Sequence, residues 1–129
     1  MEKDLVILRG LSGSGKSTVR KLFETKAICS ADDYFMRNGI YRWYGEGLHQ
    51  AHNWCQRKCR RFMKKQARLI IIDNTSVRER DLVPYQDLAR QFGYRVHSII
   101  VENRHGGVNQ HGVSEESLEK QISRFNIKL

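Results

Sequence analysis

The chain has one proline, three cysteines, and no apolar run approaching the roughly 20 residues that cross a bilayer. Each scarcity excludes something. Cys29, Cys55 and Cys59 are odd in number and form no C-x-x-C pair, which argues against a secreted disulfide framework and for free thiols. Met1-Glu2-Lys3-Asp4 leads straight into an apolar stretch, without the charged-then-apolar leader of a secretory signal. A soluble, intracellular, cytoplasmic protein without membrane contact is the expectation. Acids are also scarce. Fourteen Asp and Glu stand against 23 Lys and Arg, and the resulting charge of +9 points toward a polyanionic partner such as nucleic acid.

What is present suits one compact unit. With 129 residues, 40% of them hydrophobic, no internal repeat and no low-complexity linker, a single domain over 1–129 is expected. Residues 5–8, 27–29, 69–72 and 96–101 are short apolar runs fit for buried parallel strands. Helical patterns alternate with them, implying right-handed crossovers and an α/β domain: a four-stranded parallel sheet with helices on both faces. One helix starts at Lys16. A second carries Leu48, Ala51, Cys55, Cys59 and Phe62 as an apolar stripe. Ser76 with Glu79 reads as a capping box for a third, whose stripe is Leu82, Tyr85, Leu88 and Phe92. Gly93 ends it, and Pro84 is expected to kink or split it. Ser114 caps a last helix, with Val113 and Leu118 as an apolar staple. Residues 103–113 lack periodicity and read as a short mobile lid.

Gly10-Leu11-Ser12-Gly13-Ser14-Gly15-Lys16-Ser17 fits G-x-x-x-x-G-K-[ST] between an expected strand and an expected helix. Glycines let successive backbone N–H groups, from Gly10 through Thr18, converge with a helix N-terminus on phosphate oxygens. Lys16 is placed for the β- and γ-phosphates of ATP or another NTP, and the Ser17 hydroxyl for Mg²⁺. Parallel sheets bind ligands beyond the carboxyl ends of their strands, where Asp32-Asp33 and Asp73-Asn74-Thr75 fall. Asp73 is assigned to the Mg²⁺ shell and Asp32 to accept the proton of an attacking hydroxyl. The plain alternative is that Asp32 and Asp33 only cap a turn.

The blocks GLSGSGKST, CSADDYF, IIIDNTS and HGVSEESL follow in an order that resembles the polynucleotide-kinase-like P-loop kinases across nearly the whole chain. The nearer subgroup reads S-x-D-D-[FY]-F and I-I-D-N-T-N with an Ala-His between, here Ala51-His52. The resemblance implies a P-loop kinase fold with phosphate-binding Lys16, Mg²⁺-binding Ser17, and Asp32 as general base toward a 5′-hydroxyl of DNA or RNA. Phe35 stands where the bacteriophage-type kinases carry a clamping Arg. The lid offers Arg104 as its cation, with Arg37 or Arg124 as substitutes for the clamp. Asp33, Arg37, Tyr44, Asn74 and Thr75 are the candidate substrate contacts.

Arg57, Lys58, Arg60, Arg61, Lys64, Lys65 and Arg68 form the polar side of the second helix, either a solvated face or a surface that neutralises several phosphates. Around Ile40 to Gly47, Tyr44 is the better candidate for stacking on a base, while Tyr41 and Trp43 are expected to pin the loop to the core. His49, His52, Cys55 and Cys59 suit packing better than zinc. The leading expectation is an ATP- and Mg²⁺-dependent polynucleotide 5′-hydroxyl kinase. The alternatives are a kinase of a nucleoside, nucleotide or other small molecule, and a non-catalytic nucleotide-binding module in RNA processing.

Overall fold

The computed structural model describes residues 2–37, 39–106 and 112–127, excluding the Arg37 side chain. Strand β1 (Asp4–Arg9) enters the glycine loop and helix α1 (Lys16–Arg20) leaves it. Strand β2 (Ile28–Cys29) leads to a 3-10 turn (Ala31–Phe35) and a two-stranded antiparallel hairpin of β3 (Met36–Arg37) and β4 (Ile40–Tyr41). Helix α2 (Leu48–Lys64), β5 (Leu69–Asp73), α3 (Val83–Phe92), β6 (Arg95–Ile100) and α4 (Glu115–Arg124) complete the order. The main sheet runs β2-β5-β1-β6, every pair parallel.

All four expected strands form, and their two-residue period explains the layers. Leu5 and Ile7 of β1, with Ile70 and Ile72 of β5, face a core filled by Ala51, Cys55, Cys59 and Met63 of α2 and by Tyr85 and Ala89 of α3. Val6, Leu8 and Ile71 point the other way, toward Val19 of α1, Phe23 and Ile99. The expected α/β architecture, with helices on both faces of a parallel sheet, is the observed one. Strand β6 is an edge whose first four residues are exposed. The β1–β5 register sets Leu8 opposite Asp73, so that carboxylate emerges level with the entrance to the glycine loop.

Three local expectations change. Ser76 does not cap a helix. It is buried at φ 46°, and Arg78 instead opens a 3-10 turn (Glu79–Asp81), its N–H donating to Asp81 Oδ2 at 3.0 Å. Pro84 does not kink α3 but sits in its first turn, where a missing N–H costs no helical bond. The β3–β4 hairpin escapes a periodicity reading because each strand is two residues long. Gly93, left-handed at φ 75°, ends α3 as expected, and Ser114 Oγ accepts the Ser117 N–H at the start of α4. Of the expected lid, residues 107–111 lie outside the described residues.

Candidate active site

The glycine loop is shaped by what its residues lack. An added Cβ at Gly10 would meet Ser14 Oγ at 2.5 Å and the Val101 carbonyl oxygen at 2.6 Å. Gly15, at φ 101°, occupies the left-handed region, and a Cβ there would lie 2.9 Å from His105 Nε2. The loop is fastened at its entrance, where the Gly10 N–H donates to the Thr75 carbonyl at 3.0 Å. His105 Nε2 donates to the Ser14 carbonyl at 3.0 Å. Gln121 of α4 grips Ser12 twice: its Oε1 accepts the Ser12 N–H at 3.1 Å and its Nε2 donates to Ser12 Oγ at 3.2 Å. The Ser14 hydroxyl is buried and has no protein partner.

Lys16 lies back over its own loop, donating to the Gly10 and Leu11 carbonyls at 2.9 and 3.2 Å. Burial lowers its pKa, and the carboxylates of Asp73 and then Asp32 oppose that shift. Both acids therefore lie within electrostatic reach of the ammonium. Asp73 is buried and pairs with Arg20 of α1, Nη1 to Oδ2, at 3.0 Å. Its pKa is raised by burial, held down by Lys16 and Arg20, and pushed further up by Asp32 and Asp33. Ser17, on the first turn of α1, is exposed.

Asp32 and Asp33 are exposed on the turn after β2. The turn is positioned by Asn74, whose Oδ1 accepts the Ala31 N–H at 2.8 Å and whose Nδ2 donates to Cys55 Sγ at 3.6 Å. From the hairpin, the Tyr41 hydroxyl donates to Asp32 Oδ1 at 3.3 Å. Burial, then the neighbouring Asp32 charge, pushes the Tyr41 phenol up to about 12. His52 of α2 is half-buried with its pKa lowered by burial, within reach of Asp81 and Asp32.

The structure thus gathers Lys16, Ser17, Asp32, Asp33 and Asp73 around the loop and gives other expected residues different work. Asn74, expected to touch substrate, is buried and committed to Ala31 and Cys55. Thr75 braces Gly10 through its backbone. Arg104, expected to meet the nucleotide, is exposed and ion-paired with Glu102, while its neighbour His105 reaches the loop. Phe35 is buried in the core, with Tyr44 edge-on to it at 5.2 Å. Trp43, expected to pin the loop, is more exposed than Tyr44, at 56% against 45%, whereas Tyr41 does pack on the core. Cys29, Cys55 and Cys59 are buried free thiols, and no cluster of three potential metal-ligating His, Cys, Asp or Glu side chains occurs among the described residues. Arg20, His105 and Gln121 were not legible as site residues, since only folding brings them to the loop.

A parallel sheet with a glycine loop between β1 and α1, and with acids at the ends of β2 and β5, defines the P-loop kinase fold. The chain belongs to the family described as "AAA domain", which matches residues 5–110. Human NEDD4-binding protein 2 is 33% identical over 94% of this chain, and the 2′,3′-cyclic-nucleotide 3′-phosphodiesterase of Pongo abelii is 31% identical over 78%. The chain spans only 8% and 24% of those relatives' lengths. Among solved structures, an APS kinase mutant of Mycobacterium tuberculosis superposes with a TM-score of 0.52 at 16% identity, covering 95% of this chain and 96% of that one. The same kinase in complex with AMPPNP and APS gives 0.50 at 16% identity, covering 78% and 63%. No helix among the described residues is long and apolar enough to cross a membrane.

Proposed function

We propose that this domain is an ATP-dependent phosphotransferase acting on the 5′-hydroxyl of DNA or RNA. The observation that carries the reading is the shared electrostatic neighbourhood of Lys16, Asp73 and Asp32 at one end of the sheet. A half-buried cation on a phosphate cradle suits a transferring phosphoryl group, and an exposed carboxylate within its electrostatic reach suits an incoming alcohol. The loop amides and Lys16 hold the nucleotide phosphates, and the partnerless Ser14 hydroxyl is a further polar group on the same loop. The Ser17 hydroxyl and Asp73 carboxylate are hard oxygen donors of the kind Mg²⁺ takes, and they would hold it. When bound, that ion supplies charge neutralisation at the phosphates. Lys16 and then Arg20, the latter through the 3.0 Å pair, oppose the burial that raises the Asp73 pKa. Asp32, oriented by Tyr41, accepts the hydroxyl proton as the oxygen attacks.

The test uses labelled ATP with oligonucleotides ending in a 5′-hydroxyl or a 5′-phosphate, and with small alcohols. Transfer only to the 5′-hydroxyl end is expected, with Asp32→Asn losing about 10²- to 10⁴-fold in rate while retaining nucleotide binding. Transfer to small alcohols alone would favour a small-molecule kinase. A second reading, a nucleotide-binding module without transfer, draws on Phe35 being a core residue and on Arg104 being held by Glu102. ATP binding without transfer to any acceptor supports it.

A further inference from the structure

The cations of α2 cluster toward the end of the helix away from the Asp32 turn. Helix α2 starts against the Asp32 turn and runs antiparallel to the strands. Its far end hands over to β5 at the opposite end of the strands, where the Arg68 carbonyl accepts the Asp4 N–H at 2.8 Å. From His52 to Lys64 the helix rises about 18 Å at 1.5 Å per residue. Arg57, Arg60, Arg61 and Lys64 recur at i, i+3, i+4 and i+7, so they form one stripe on the solvent side, opposite Cys55, Cys59 and Met63. Lys65 and Arg68 extend it.

This stripe has no acidic complement. Helix α2 contains no Asp or Glu, and among the described residues none of these six cations takes part in an ion pair. Like charges stacked at these spacings disfavour the helix, apart from those in its last turn that complement the dipole. At the other end of α2, the exposed rings of Trp43 and Tyr44, both against Phe35 of the turn that carries Asp32, precede the helix across the Gly45–Gly47 turn. A row of unpaired cations leading to exposed aromatic faces matches how single strands are held: phosphates on the cations, bases on the rings.

We propose that the outer face of α2 is a docking track for the backbone of a single-stranded nucleic acid, distinct from the phosphate loop and lying on the far side of the Asp32 turn. The assignment rests on the reading of the site as a polynucleotide kinase and adds a consequence: long acceptors are held at a surface that a dinucleotide never reaches. Four engaged phosphates, each contributing about 0.7, give a slope of about −3 in log affinity against log salt.

The experiment measures fluorescence anisotropy of a labelled, 5′-phosphorylated oligothymidylate 20-mer without ATP, for the wild-type protein and for Arg57→Gln/Arg60→Gln/Arg61→Gln/Lys64→Gln. The expected result is at least about tenfold weaker binding at low salt and a salt slope near zero in the variant, since each lost phosphate contact removes about 0.7. A thermal midpoint no lower than wild type shows that the variant is folded. Unchanged affinity and slope overturn the track, as does displacement of the strand by polyglutamate at equal charge concentration. Phosphate transfer is then compared between a 5′-hydroxyl 20-mer and a dinucleotide. The variant should lose the preference for the 20-mer while keeping dinucleotide kcat/KM. Because binding is read without ATP, a wild-type protein that binds the strand but transfers nothing sinks the kinase reading and leaves the track standing. Normal transfer with unaltered strand binding in the variant does the reverse.

Discussion

Asn74 Oδ1 accepts the Ala31 N–H at 2.8 Å, fastening the turn that carries Asp32 to the strand end that carries Asp73. The β1–β5 pairing sets Asp73 level with the loop entrance, and this buried amide ties the Asp32 turn to the same strand end. Removing the acceptor strands a buried N–H, so Asn74→Ala should lose about 1–3 kcal/mol in urea unfolding. If the bond also aligns Asp32, phosphate transfer should fall by about 100-fold while ATP affinity holds. An equal fall in both would mean that Asn74 supports the loop rather than the acid.

Gly10 has no room for a methyl group. Gly10→Ala drives a Cβ to 2.5 Å from Ser14 Oγ and 2.6 Å from the Val101 carbonyl. Overpacking of this kind should cost about 1–3 kcal/mol, together with most of the ATP affinity. Adding Ser14→Gly relieves only the side-chain clash, because the Val101 backbone cannot yield. Full recovery of nucleotide binding in the double variant, read by calorimetry, would contradict this account.

Arg9 is 2% exposed and serves as the hub of the C-terminal segment. Its guanidinium donates to the carbonyls of Ser76, Val77 and Asn126 and to Glu79, and lies over the Phe125 ring at 5.1 Å. Arg9→Met strands the Ser76 and Val77 carbonyls in the interior and should cost at least about 1–3 kcal/mol, the range for leaving a buried polar group without its partner. Amide exchange across α4 should rise with it, because the anchor beyond that helix is gone. Arg9→Lys should not restore protection, since one ammonium cannot reproduce the planar fork.

Asp4 gives the fold an acid-sensitive seam at the N-terminal end of the central strand β1. Hydrogen bonds from Arg95 and His97 lower its pKa to about 2 from 3.8. A depressed carboxylate stabilises the folded state fully above its unfolded value. That contribution is lost as pH falls from about 3.8 through about 2. The gap in melting temperature between wild type and Asp4→Asn should therefore narrow across that window and stay level above it. A gap that is constant down to pH 2 would count against the pairing.

The sequence by itself determined the features that depend on near neighbours. The four apolar runs became the four strands, Gly93 ended α3, Ser114 capped α4, and the spacing of Gly10, Gly15, Lys16 and Ser17 fixed the loop. These follow from steric freedom at glycine and from periodicity over a few residues. Tertiary structure alone decided the roles that depend on what packs against a residue. Ser76 and Glu79 fit a capping box locally, yet Ser76 is buried and its carbonyl accepts from Arg9. Asn74 looked like a substrate contact and became a brace. His105, not Arg104, meets the loop, and Gln121 reaches Ser12 across 109 positions. Arg9 could be read as a strand end but not as a buried hub, because each of its acceptors lies at least 67 residues away. Local chemistry specifies an element; which of its side chains touch a ligand, and which hold the frame, is settled only when distant segments compete for the same polar groups.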